Sequence, residues 1–147
     1  MSRPEPPTLR DDANTATLIS LSHLLVSRRV GELVAAAGHP IRPSHGAVFS
    51  QLGPDGARLT DLARGAQMSP QAMSELVDEL EGQGYLERRP DPRDRRAKLI
   101  VLTEAGRQCG EAGEDAIHAL ESHITATLGE RGHRDLRRML RSLLEQG

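Results

Sequence analysis

Tryptophan is absent from this chain of 147 residues, which has one tyrosine, Tyr85, and one phenylalanine, Phe49. With so few rings, a platform that stacks single-stranded bases is excluded, and so is an aromatic cage for a cationic ligand. The one cysteine, Cys109, has no second cysteine with which to form an internal disulfide. No apolar run approaches the roughly 20 residues that a membrane span requires, and the opening residues lack the apolar stretch of a secretion signal. A cytoplasmic protein without membrane contact is therefore expected. Also missing are a P-loop, a dinucleotide-binding glycine fingerprint, a nucleophile elbow and catalytic carboxylates in context. No catalytic residue and no cofactor are assigned, and an enzyme is not expected. The six histidines are His23, His39, His45, His118, His123 and His133. No two of them have the i, i+4 spacing of a ligand pair on one helix face, so no metal site is assigned.

What remains is an aliphatic chain, 37% apolar and 27% charged. Leu, Val, Ile and Ala must fill the core, and those residues suit helices packed on helices. A chain of this length buries roughly 70% of its unfolded surface, enough for one compact unit with long flanking helices. The formal net charge is −2, yet the charge is unevenly spread. Between Glu87 and Lys98 lie six bases, Arg88, Arg89, Arg93, Arg95, Arg96 and Lys98, against the acids Glu87, Asp91 and Asp94. Partners respond to local field more than to total charge, so a basic strip on an acidic body is informative.

Residues 1–13 open with three prolines in the first eight positions and read as a disordered lead. From Asn14 to Ala37 apolar residues recur at helical spacing, with Gly38 and Pro40 as stop signals. A second helix is expected after Pro43-Ser44, carrying Val48, Phe49 and Leu52 and ending at Gly53-Pro54, and a short third covers Leu59 to Gly65. Ser69-Pro70 is the clearest helix start in the chain, a capping serine followed by proline at the first helical position. That fourth helix should run through Leu80 and end at Gly82 or Gly84. Tyr85–Arg89 and Lys98–Leu102 read as strands, with the Pro-, Asp- and Arg-rich stretch 90–97 as a projecting loop. Thr103 then caps a long helix to about Leu128, Gly129–His133 is a break, and Leu136, Met139, Leu140, Leu143 and Leu144 mark a last amphipathic helix.

This order, short helix, turn, capped helix, then basic-tipped hairpin, is a winged helix-turn-helix over residues 43–102. Residues 14–38 with 103–147 form a helical region with more apolar surface than the middle can cover, and an isologous homodimer is the expected use. The fold class is thus mainly α with a small β-hairpin wing. In the capped helix Met73, Leu76, Val77 and Leu80 face inward, while Gln71, Ser74, Glu75 and Asp78 face outward. Such a helix fits the major groove, where Gln and Ser reach base edges and Gln matches adenine best. Ser69 and the helix start offer free amides to a phosphate. Arg89, Arg93, Arg95 and Arg96, on a loop stiffened by Pro90 and Pro92, would reach a minor groove or phosphates unless Asp91 and Asp94 neutralise them.

The stretch Leu59–Gly106, above all DPRDRRAKLIVLTEAG from Asp91 to Gly106, resembles the MarR-type (multiple antibiotic resistance regulator) family of bacterial transcription regulators. The resemblance implies a symmetric dimer on double-stranded DNA, two recognition helices on a pseudo-palindromic operator, and repression relieved by a small-molecule effector. It also implies that Arg96 enters the minor groove with Asp94 orienting it, while Arg93 and Arg95 touch phosphates. By the same analogy His23, His45 and Phe49 line an effector pocket. Many members carry a base where this chain has Glu75 and another at Glu79, so Glu75 is expected to alter base choice through a cytosine amino group, and the wing to carry most of the affinity. Two other readings stand beside this one. The winged helix serves protein association without DNA readout, or the regulator responds to redox state through Cys109 or to a metal.

Overall fold

Asn14 starts the first helix: in extended backbone, its side chain accepts the Thr17 amide at 2.9 Å. The computed structural model describes residues 10–146, so most of the proline-rich lead lies outside the described residues. Residues 10–13 form a turn closed by the Ala13 amide on the Arg10 carbonyl. Helix α1 (Thr15–Ala36) is followed by a 3-10 turn, Pro43–His45, that leads into a short α2 (Gly46–Phe49). The sequence predicts a longer second helix, but Ser50 and Gln51 close only as a turn. Gly46 within it and Gly53-Pro54 just behind it leave too few good helix formers to propagate.

Helix α3 (Leu59–Gly65) and helix α4 (Pro70–Gly82) follow as read, and Ser69 Oγ accepts the Ala72 amide at 3.1 Å to cap α4. Strands β1 (Leu86–Asp91) and β2 (Asp94–Leu102) pair antiparallel from Leu86↔Leu102 out to Asp91↔Asp94. The ladder is longer than the sequence suggests, because Pro90 in a two-stranded sheet can turn its missing donor to solvent. A register shift follows Pro90. Ala57 adds a third, one-residue strand by exchanging both backbone bonds with Ile100, at 3.0 and 2.9 Å.

Helix α5 (Glu104–Gln146) is capped by Thr103, whose hydroxyl accepts the Gly106 amide at 3.1 Å. Its direction changes at Gly129, where φ 71° and ψ 166° suit glycine alone. The break is therefore one residue, narrower than the expected 129–133. Across it His133 lies 2.7 Å from Thr125 Oγ1 and 3.1 Å from Glu121, holding the two arms together.

The core lies where α1, α3, α4, the hairpin and the start of α5 meet: Val34, Val48, Leu62, Met73, Val77, Leu80, Ile100 and Cys109 are buried there. Phe49 and His39 both pack edgewise on Tyr85. Among the described residues every large exposed hydrophobic side chain lies on α1 or α5, with Leu24 63% and Leu144 81% exposed. Helix α5 also presses close to the hairpin root, where a methyl group on Gly106 would sit 2.1 Å from the Tyr85 carbonyl oxygen. Gly106→Ala should therefore destabilise the protein by about 1–3 kcal/mol in urea unfolding. Gly110→Ala, four residues on in open space, should instead stabilise it by about 0.5–1 kcal/mol.

Candidate nucleic-acid interface

Helix α4 divides into two faces. Met73, Leu76, Val77 and Leu80 are buried toward Leu62 and Ala63 of α3, while Gln71 and Glu75 are exposed and Ser74 is half-buried. Ser69 and Pro70 at its start are exposed. The face that the sequence points outward is thus free to meet a ligand.

The wing is held at its outer end, beside the turn, by a carboxylate. Asp91 is only 4% exposed, and its Oδ2 accepts Arg58 Nε at 2.8 Å and Nη2 at 2.6 Å, while Oδ1 accepts the Arg93 amide at 2.9 Å. That amide and the guanidinium hold the Asp91 carboxyl below the usual carboxylate range, and Asp91 raises Arg58 in return. Since Arg58 is the residue before α3, the pair ties the hairpin to the helix-turn-helix. Sequence reasoning treats Asp91 as a loop acid; a partner 33 positions away leaves no local signal. Asp94 shapes the tip differently, its Oδ1 accepting the Arg96 main-chain amide at 3.0 Å. The expected orienting contact thus reaches the backbone of Arg96, and the guanidinium stays free.

The six-base strip divides on inspection. Arg88 turns back to α4 and pairs with Asp78 at 2.6 Å and with Glu81, and Arg89 pairs with Glu87. Both are therefore removed from the expected basic strip, because acids beside them in space neutralise them. Arg93, Arg95, Arg96 and Lys98 are exposed and, among the described residues, have no acid within ion-pair distance. Neither Asp91 nor Asp94 forms an ion pair with these four cations: Asp91 pairs with Arg58, and Asp94 accepts the Arg96 main-chain amide. The acids of α4 are also less free than the sequence implies. Asp78 and Glu81 share Arg88, and Glu79 accepts from Arg42 and His45, which hold its carboxyl below the usual range. Among the described residues, Glu75 is the one outward acid of α4 with no base within ion-pair distance.

The three residues expected around an effector are placed differently from one another. His45 has no accessible surface: its Nδ1 accepts the Arg42 amide at 3.1 Å, which leaves Nε2 to donate to Glu79 Oε2 at 2.8 Å. In this arrangement it is a capping and packing residue instead of a pocket wall. Phe49 is half-buried against Tyr85, and His23 is exposed on α1. Cys109 is buried, and burial pushes its thiol up, the opposite of a reactive thiolate. Among the described residues no three His, Cys, Asp or Glu side chains gather as metal ligands, and no helix is long and apolar enough to cross a membrane.

A capped helix lying across α3, beside a hairpin that carries unpaired arginines, defines a winged helix-turn-helix DNA-binding protein. Residues 39–97 match the sequence pattern of the MarR family. An HTH-type transcriptional repressor of Mycobacterium tuberculosis is 29% identical over 128 residues, spanning 78% of this chain and 92% of that one. CouR of Rhodococcus jostii bound to p-coumaroyl-CoA superposes with a TM-score of 0.71 at 27% identity, over 90% of this chain and 92% of that one. The repressor CouR bound to a 23-mer DNA duplex does so with 0.71 at 26%, over 90% and 91%. Over its central lobe the chain is thus similar to the MarR family of transcription regulators.

Because the Asp91 carboxyl is lowered, its hold on the wing is complete above the ordinary aspartate value of about 4 and is lost as pH falls through the lowered one. Carboxyl titration by NMR should place Asp91 below that value. Asp91→Asn should speed amide exchange in the wing at neutral pH; unchanged exchange would remove its anchoring role.

Proposed function

We propose that the protein is a cytoplasmic, homodimeric repressor that grips a pseudo-palindromic operator and releases it on binding a small-molecule effector. The observation that carries this reading is the wing tip, where Arg93, Arg95 and Arg96 project unpaired beside the open face of α4. Counterion release from phosphates supplies the affinity for such a tip. In this reading Gln71 and Ser74 read major-groove edges, with Glu75 accepting from a cytosine amino group. Ser69 and the neighbouring amides take a phosphate. Arg96 enters the minor groove while Asp94 fixes its main chain, and Arg93 and Arg95 neutralise flanking phosphates. Residues 43–102 then form the DNA-binding lobe, and 14–38 with 103–147 the dimerisation region.

The exposed apolar faces of α1 and α5 support the dimer, since side chains such as Leu24, Leu143 and Leu144 gain most by covering one another across a two-fold axis. The CouR complexes with DNA and with p-coumaroyl-CoA support both the operator and an effector. Phe49 is the proposed effector contact, with His23 as a polar rim. His45 joins only by giving up its bond to Glu79, which would link ligand binding to the recognition helix.

In a gel-shift titration Arg96→Ala should weaken operator binding by more than about tenfold, and unchanged binding would remove the wing assignment. Gln71→Ala should change base preference and leave the salt dependence as it was, because a base contact releases no counterion. Truncation after Gly129 should leave a monomer in sedimentation; a dimer would place the interface elsewhere.

A further inference from the structure

Gln67 is the one non-glycine residue with a left-handed backbone among those described, at φ 54°. It stands in the turn between α3 and the Ser69 cap of α4. The turn is closed by the Gln67 amide on the Arg64 carbonyl at 3.2 Å and by the Met68 amide on the Ala63 carbonyl at 2.8 Å. A left-handed residue is the ordinary way to end α3 so that these carbonyls are satisfied, and glycine does it without strain. A glutamine there adds a strained β-carbon. Within the protein the side chain returns nothing, because it is exposed and makes no hydrogen bond to any described residue. The chain thus carries a long amide where the backbone favours glycine.

We infer that the Gln67 side-chain amide donates to a phosphate oxygen of the bound duplex and sets how the recognition helix enters the groove. The inference rests on the DNA-binding reading above. Its warrant is the strained, unpartnered amide in the helix-turn-helix turn, two residues before the cap of the helix assigned to the groove. Gln67 is a positioning residue: a phosphate contact carries no base information, and a neutral donor releases no counterion.

The test uses the full-length protein, fluorescence anisotropy, and two duplexes of equal length. One is the duplex that the wild type selects from a random pool; the other is unrelated in sequence. Gln67→Gly should weaken binding to both about three- to tenfold, the range of one hydrogen bond. Its salt slope should be unchanged, and its thermal midpoint unchanged or raised because the strain is gone. Gln67→Glu, which keeps shape and strain but sets a carboxylate against phosphate, should weaken binding further. If Gln67→Gly binds as the wild type while Arg96→Ala does not, the inference falls and the DNA reading stands. If Arg96→Ala also binds as the wild type, the reading itself falls. A changed preference at one base would replace the phosphate assignment with a base contact. Should Gln67→Gly lower the thermal midpoint, Gln67→Glu decides alone, and wild-type binding by that variant overturns the inference.

Discussion

Asp91 sits almost out of water at the turn end of the hairpin, and the Arg58 guanidinium is the cation that meets its charge. A buried carboxylate without that partner would be costly, so the pair fixes how the outer end of the wing lies against the start of α3. Arg58 immediately precedes α3, the helix on which α4 packs. The wing and the outward face of α4 therefore share one frame, and an arginine at the tip can be placed relative to Gln71 without a flexible joint. A two-stranded hairpin is marginal by itself. Here Ala57 pairs with Ile100, Ile100 is buried, and the Asp91 pair closes the outer end.

The same economy of charge explains how an acidic chain presents a cationic edge. Arg88 is absorbed by Asp78 and Glu81, and Glu79 by Arg42 and His45. These contacts tie α4 to the hairpin on one side and to the turn before α2 on the other, so they stiffen the recognition helix while cancelling its field. Arg93, Arg95 and Arg96 are left as uncompensated charge at a tip that extends from the body. Solvent-exposed charges more than about 10 Å apart are screened at moderate salt. The acids on the far helices therefore matter less at the wing than the formal net charge suggests.

Signals confined to a few neighbouring residues were legible in the amino-acid order. Ser69-Pro70 marks the start of α4, Thr103 that of α5, and the spacing of Met73, Leu76, Val77 and Leu80 shows which face is buried. Pairings across distance were not. Nothing beside Asp91 in sequence points to Arg58, and nothing beside Arg88 says that it turns inward while Arg93 stays out. The one-residue strand at Ala57 is too short to show an alternation. The length of the hairpin was hidden because Pro90 and Pro92 read as loop formers, although Pro90 is tolerated in a sheet of two strands. His45 read as a pocket-lining residue because a complete burial that satisfies both ring nitrogens depends on Glu79, 34 positions on.

That histidine bears on how a signal would reach DNA. The core and the recognition helix meet at few polar points, and His45 to Glu79 is the one that is fully buried on the core side. Its Nδ1 is occupied by the Arg42 amide, so any ligand that draws on the ring competes for Nε2, the atom that faces α4. Losing that bond would leave Glu79 to Arg42 alone, on the exposed side of the helix, and would shift the balance of contacts that orients α4. A shift of an ångström or two at each recognition helix, doubled across a two-fold axis, changes the spacing that successive grooves require. A small change at one buried ring thus has a mechanical route to the interface, through bonds already present in the fold.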